Sequence, residues 1–331
     1  DNVAAVTGVV ARYSVSPALP TGLVLDTVTG KISGTPTVSA AAANYTVTAS
    51  NVGGFTTTTL NLRVLAAPSA LSYSQNPAVY GVNVAITNNV PTLTGVATHY
   101  SVSPALPTGL ILDTNTGILS GTSTVVRSGT NYTVTASNLA GSTTATLNIR
   151  VLAPPTNFSY ADDPVVYVLG VAINPPDIPT VTGFVSRYTA SPALPPGVIL
   201  DSVTGYIAGT PTTRQSFATT YTITAANVAG STQTTVNITI VGPPSNLSYA
   251  DDVPTYARNQ VITPPNTPTI QGIVTQYTVT PTLPTGIVLD ATTGYILGTP
   301  TVVSASRSYT ITGSNPGGSS TTIINLGVAG P

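Results

Sequence analysis

The stretch Tyr13-Ser14-Val15-Ser16-Pro17-Ala18-Leu19-Pro20-Thr21-Gly22 decides how this chain is read, because it comes back three times. Its counterparts run from Tyr100 to Gly109, Tyr188 to Gly197 and Tyr277 to Gly286, with Tyr-to-Tyr spacings of 87, 88 and 89 residues. Asp26, Asp113, Asp201 and Asp290 keep the same frame, and so do Gly34, Gly121, Gly209 and Gly298. Self-similarity at a fixed period marks a tandem array, and a unit of about 88 residues has the size of a small β-sandwich. The frame divides the chain into repeats at 1–65, 66–152, 153–241 and 242–331.

Working outward through repeat 2 gives a strand order. Leu71–Gly81 and Val84–Thr87 read as extended runs, the first broken at Asn76-Pro77. His99–Ser103 alternates, Gly109–Asp113 and Gly117–Thr122 flank a turn, and Asn131–Asn138 and Ser142–Leu152 alternate again. About seven short strands separated by turn residues is the pattern of an immunoglobulin-like sandwich. Composition agrees: there is no Glu and one Lys, while Thr, Val, Ile and Tyr, the strand formers, are abundant. The fold class read here is all-β, a tandem array of immunoglobulin-like β-sandwich domains.

Counting also removes functions. Nine Lys+Arg against ten Asp leave a net charge of −1, too few positive groups for a nucleic-acid or membrane-surface patch. With no Cys and a single His (His99), the usual ligands of zinc, haem and iron–sulfur groups are missing, and a nucleophilic triad could use only His99. The mean hydropathy of +0.31 is high, yet Thr, Ser, Asn, Gly or Pro interrupts every apolar run before it could span a bilayer as a helix. Lys31 is the only lysine, so covalent Lys–Asn staples are excluded from repeats 2 to 4.

The recurring pattern Y-x-x-S-P-A-L-P-x-G-L-x-L-D-x-x-T-G-x-I-x-G-T-P, followed by N-Y-T-V-T-A-S-N and a Thr-rich last strand, resembles the immunoglobulin-like repeats of bacterial extracellular surface proteins, which are related to cadherin-like domains. The resemblance covers essentially the whole chain. It implies an extracellular β-sandwich spacer and carries no catalytic residues to transfer. The segment from Tyr45 to Asn51 also resembles the sixth strand of immunoglobulin domains, which makes Tyr45, Tyr132, Tyr221 and Tyr309 candidates for a tyrosine corner. Trp and Cys are absent, so packing alone must join the two sheets.

Four groups of residues are candidates for chemistry. Asp26, Asp113, Asp201 and Asp290 each precede a Gly by four residues, a spacing that suits a turn in which the carboxylate accepts loop N–H groups. One lone carboxylate per unit makes neither an ion cage nor an acid/base pair. The pairs Asp162-Asp163 and Asp251-Asp252 follow the Pro-rich junctions Pro154-Pro155 and Pro243-Pro244. Acids at the junctions of cadherin-like arrays hold Ca²⁺, so these four, helped by Asp177, are the calcium candidates; the other reading is a solvated turn. Repeat 2 has Gln75-Asn76 in their place, which argues against a uniform site. Tyr80, Tyr167 and Tyr256 precede a variable stretch and are candidates for stacking on a glycan. His99 stands where other repeats carry Arg12, Arg187 or Gln276, and reads as a solvent-facing position. Sequons at Asn44, Asn131, Asn157, Asn237 and Asn246 are a weak signal in a chain so rich in Asn and Thr.

The functional expectation is a non-enzymatic structural subunit or segment of an extracellular filament or cell-surface stalk. Its cofactor is none, with calcium left open. Its expected partners are further copies, by self-association into a polymer or filament; no nucleic acid and no membrane insertion are expected. The alternative is an adhesin stalk or carbohydrate-binding module with glycans as ligands. Asp1 reads as a mature or trimmed start. The counterpart of Ala67–Thr87 is missing before repeat 1, and the chain reads as a window on a longer repetitive polymer or as a unit completed by a donor strand.

Overall fold

The computed structural model describes residues 2–330; Asp1 and Pro331, where the readings of the chain's ends are anchored, lie outside the described residues. Every regular element among the described residues is a strand. The chain falls into two compact units, Asp1–Ala153 and Pro154–Pro331. The first holds repeats 1 and 2, the second repeats 3 and 4.

Repeat 2 shows the complete design. One sheet runs His99–Ser103, Arg127–Asn138, Gly141–Leu152, Ala78–Gly81; the last strand is parallel to its neighbour and the others are antiparallel. The facing layer pairs Ser69–Tyr73 with Pro91–Thr94, and Leu110–Leu112 with Leu119–Gly121, joined by a bridge between Asn89 and Leu119. The alternation read from the sequence is what the sheet needs: along Arg127–Asn138, Tyr132, Val134 and Ala136 face inward while Asn131, Thr133 and Thr135 do not. Tyr132, Val134, Ala136, Leu119, Leu147, Ile149 and Val151 form a core with relative exposures of 0–1%. Repeats 3 and 4 build the same sheets around Ile207, Ile223, Val236 and Ile238, and around Ile296, Ile311, Ile324 and Leu326.

Two local expectations fail. Val84–Thr87 is not a strand: it contributes a single bridge, Ala85 to Thr122, while crossing toward the facing layer. The strand in that region is Pro91–Thr94. A leading Pro hid it, although Pro is tolerated as a first strand residue because that N–H lies outside the ladder. The tyrosine-corner expectation also shifts. Among the described residues, the tyrosine hydroxyls that reach backbone carbonyls are those of Tyr73, Tyr160 and Tyr249, which donate to Gly117, Gly205 and Gly294 at 2.6, 2.5 and 2.5 Å. Tyr132 is instead a core ring, and the Tyr221 hydroxyl accepts from Gln215 Nε2 at 2.8 Å.

Among the described residues repeat 1 has the sheet Arg12–Ser16, Ala40–Asn51, Gly54–Val64, without a parallel fourth strand. Leu60, Leu62 and Val64 are half-buried, whereas their counterparts Leu147, Ile149 and Val151 are 0–1% exposed. The apolar face is present, but the strands that would cover it are not among residues 2–65.

Candidate functional site

The Asp-x-x-Thr-Gly loops are turns. Asp113 Oδ1 accepts from the N–H groups of Asn115 and Thr116, both at 2.8 Å, and the Gly117 N–H returns to the Asp113 carbonyl at 2.8 Å. These backbone bonds hold the Asp113 carboxyl below the usual carboxylate range, and the same bonding lowers Asp26, Asp201 and Asp290. Gly117 has φ +73°, and a Cβ there would lie 2.6 Å from the ring of Tyr100. The turn therefore locks onto the core through one close ring contact and the Tyr73 hydroxyl. It presents no pair of carboxylates to solvent.

The junction acids are divided among separate tasks. Asp163 Oδ1 accepts from the backbone N–H of Asn237 at 2.8 Å and from its Nδ2 at 3.0 Å, pinning the last strand of repeat 3. Asn76 does the same work in repeat 2, with its Oδ1 accepting from the Asn148 N–H at 3.0 Å. Asp251 Oδ1 accepts from the Val253 N–H at 3.1 Å, and the Asp252 carbonyl accepts from Asn325 at 2.7 Å. Among the described residues no three His, Cys, Asp or Glu groups gather as metal ligands. Asp163 and Asp251 each spend a side-chain oxygen on a backbone N–H, which is what the turn reading expects of them.

Beneath these acids lies a clamp that sequence reasoning missed. Asn266 Nδ2 donates to the Asp251 carbonyl at 2.7 Å, and its Oδ1 accepts from the Asp251 N–H at 3.1 Å. Asn89 makes the same reciprocal pair with Gln75, at 2.8 and 3.3 Å. Repeat 3 has Asp177 at this position, 8% exposed, and its Oδ2 is buried without a hydrogen-bond partner. The Tyr167 hydroxyl is likewise unpartnered. Burial, reinforced by the charges of Asp162 and Asp163, pushes the Asp177 carboxyl up to about 6. The signal was legible: Asn89, Asp177 and Asn266 share one place in the repeat frame.

The three tyrosines of the stacking expectation sit within the fold. Tyr80 and Tyr167 are 6% and 8% exposed, and Tyr256 packs against the third core. All three lie on the parallel edge strands, and the pleat turns their rings inward. His99 is exposed, as expected of a position that takes Arg, Gln or His. Among the sequons, the Asn237 side chain is engaged by Asp163.

The open feature is on repeat 1. A groove of about 370 Å³ is lined by Ala4, Ala5, Tyr13, Val47, Ala49 and Thr57. A second of about 330 Å³ is lined by Val3, Gly30, Ile32, Val47, Thr58 and Leu60. In repeat 2 the corresponding face is covered by Leu71, Tyr73, Ala78 and Tyr80, all in its core.

A family model described as "Putative Ig domain" matches residues 2–66, 62–152, 148–241 and 243–329. No match was found among curated proteins. Among solved structures, an I-band fragment of titin is 14% identical with a TM-score of 0.44, over 80% of this chain and 100% of that one. Immunoglobulin domains 1–5 of Sidekick-1 are 13% identical with a TM-score of 0.35, over 97% and 74%. An endo-fucoidan hydrolase of glycoside hydrolase family 107 is 19% identical with a TM-score of 0.33, over 81% and 45%.

Proposed function

The chain belongs to the "Putative Ig domain" family in four tandem repeats, and from that premise we propose that it is a non-catalytic structural segment of an extracellular filament or cell-surface stalk. The observation that carries this reading is that repeats 2, 3 and 4 each close a separate apolar core. Units that each have their own core can be strung in series as separate domains. In each, a strand near the start lies parallel to the last strand: Ala78–Gly81 on Ile149–Leu152, Val165–Val168 on Ile238–Val241, Thr255–Ala257 on Gly327–Ala329. Tension applied along the polypeptide loads those hydrogen bonds together, in shear, before the core can open.

We further propose that copies of the chain associate with one another. Sparse charge adds little repulsion between copies. The carbohydrate-binding alternative is the weaker of the two readings, since Tyr80 and Tyr167 are core rings and Tyr256 is a half-buried ring packed against a core.

Single-molecule stretching of the chain tests the mechanical reading. Repeats 2 to 4 are expected to give three similar unfolding events, each set by its parallel strand pair. A featureless trace, or events at unrelated forces, would contradict it.

A further inference from the structure

At the tip of the last hairpin of repeat 4, Asn315 uses every hydrogen-bonding group of its amide. Its Oδ1 accepts from the Gly317 N–H at 2.7 Å, fixing the side chain within its own hairpin. One Nδ2 hydrogen goes to the Ile273 carbonyl of the same repeat at 2.6 Å. The other goes to the Gly242 carbonyl at 2.9 Å. Gly242 is the residue that follows the last strand of repeat 3, Gly230–Val241. Asn138 in repeat 2 repeats the arrangement: Oδ1 from the Ala140 N–H at 2.8 Å, Nδ2 to Val96 at 2.8 Å and to Ala66, in the linker from repeat 1, at 2.7 Å.

We propose that this hairpin-tip asparagine is a junction clamp that fixes the angle between consecutive repeats within each unit. The proposal rests on the stalk or filament reading only for its purpose; the geometry stands without it. A linker alone would leave neighbouring sandwiches free to swing, since the default for domains in series is relative motion. The clamp ties the linker's carbonyl to the body of the next repeat at a second point. Only an amide does this: it offers two N–H donors and one acceptor, whereas Asp offers no donor.

In repeat 1 the equivalent amide is held by bonds within its own repeat. Asn51 already accepts from the Gly53 N–H at 2.8 Å and donates to the Val9 carbonyl at 2.7 Å. The amide is therefore ordered by its own repeat, and gripping a linker carbonyl costs little further side-chain entropy. At the junction of repeats 3 and 4, Arg214 adds a second tie, with Nη2 donating to the Pro243 carbonyl at 2.8 Å.

The absence of Cys makes the test clean. Spin labels on Thr235→Cys and Thr321→Cys, in the full chain, report the distance distribution between repeats 3 and 4 by electron paramagnetic resonance. Both positions are exposed. Asn315→Asp is expected to broaden that distribution at least twofold, Arg214→Ala to broaden it less, and Asn51→Asp to leave it unchanged. Asn51→Asp also measures what one repeat loses when its own tip bond is removed. Repeat 4 should melt no lower in Asn315→Asp than that loss explains. If Asn315→Asp costs repeat 4 its fold, Arg214→Ala alone carries the test. An unchanged width in the folded variant overturns the clamp, as does equal broadening by Asn51→Asp.

Discussion

Gly121→Val is expected to unfold repeat 2 while leaving the cores of repeats 3 and 4 intact. Gly121 ends the strand Leu119–Gly121 at φ +114°, a region that a β-branched residue all but never adopts. A Cβ there would lie 2.2 Å from the Gly109 carbonyl oxygen, which is backbone and cannot swing aside. Relief requires separating Leu110–Leu112 from Leu119–Gly121, and that pair carries Leu110 and Leu119 into the core. Strain and lost packing together amount to about 4 kcal/mol or more, a large share of what a single domain has. Hydrogen exchange separates the repeats: amides of Ile149 and Val151 should lose protection, and those of Ile238 and Ile324 should keep theirs. Protection of Ile149 and Val151 at the level of the unaltered chain would refute the steric argument.

The frame in which Gly121 recurs was enough to mark it, because four positions held to Gly at a fixed period need a backbone reason. The same frame placed His99–Ser103 to the residue, since a strand half-buried in a sandwich must alternate. It failed where the controlling interaction joins residues distant in sequence. Tyr73 and Gly117 are 44 residues apart, and nothing local says which of the recurrent tyrosines will reach a turn carbonyl. Pro91 misled for a different reason: Pro usually interrupts strands, and only the pairing with Ser69–Tyr73 shows that it begins one. The rings of Tyr80 and Tyr167 were read by neighbourhood, beside a variable stretch, whereas their strands' pairing with the last strand decides which way they point. Asn138 and Asn315 were visible as the last residue of the N-Y-T-V-T-A-S-N motif or its counterpart, but their role depends on a linker some 73 residues earlier.

Repeat 3 is expected to lose stability as pH rises, against the usual direction for a carboxylate, and Asp177→Asn is expected to abolish that loss. In repeats 2 and 4 the amide of Asn89 or Asn266 donates to the carbonyl of Gln75 or Asp251. A carboxylate cannot donate, and Asp177 Oδ2 is left buried and unpartnered. The protonated acid restores a donor; burial, with the charges of Asp162 and Asp163 nearby, raises the group from its ordinary 3.8 to about 6. The hydroxyls of Tyr160 and Tyr167 also feel its charge, but burial raises both, so they stay neutral across this range. Below 3.8 the group is protonated folded and unfolded, and its contribution is complete. Between 3.8 and about 6 the folded chain holds a proton that the unfolded chain has released, and stability falls as pH rises through that window. After a discount for solvent screening the loss across the window is about 1–2 kcal/mol. Asp201, held low by its turn bonds, acts in the opposite sense as pH falls, so the comparison must be with the variant and not with the absolute curve. Exchange protection at Ile207, Ile223 and Ile238 should decline with pH in the unaltered chain relative to Asp177→Asn, which should be the more stable of the two above about pH 7. Parallel profiles across the window would show that the carboxyl is solvated in the native fold. A decline reversed by added Ca²⁺, in the unaltered chain and not in the variant, would instead mean that a cation fills the place of the missing proton.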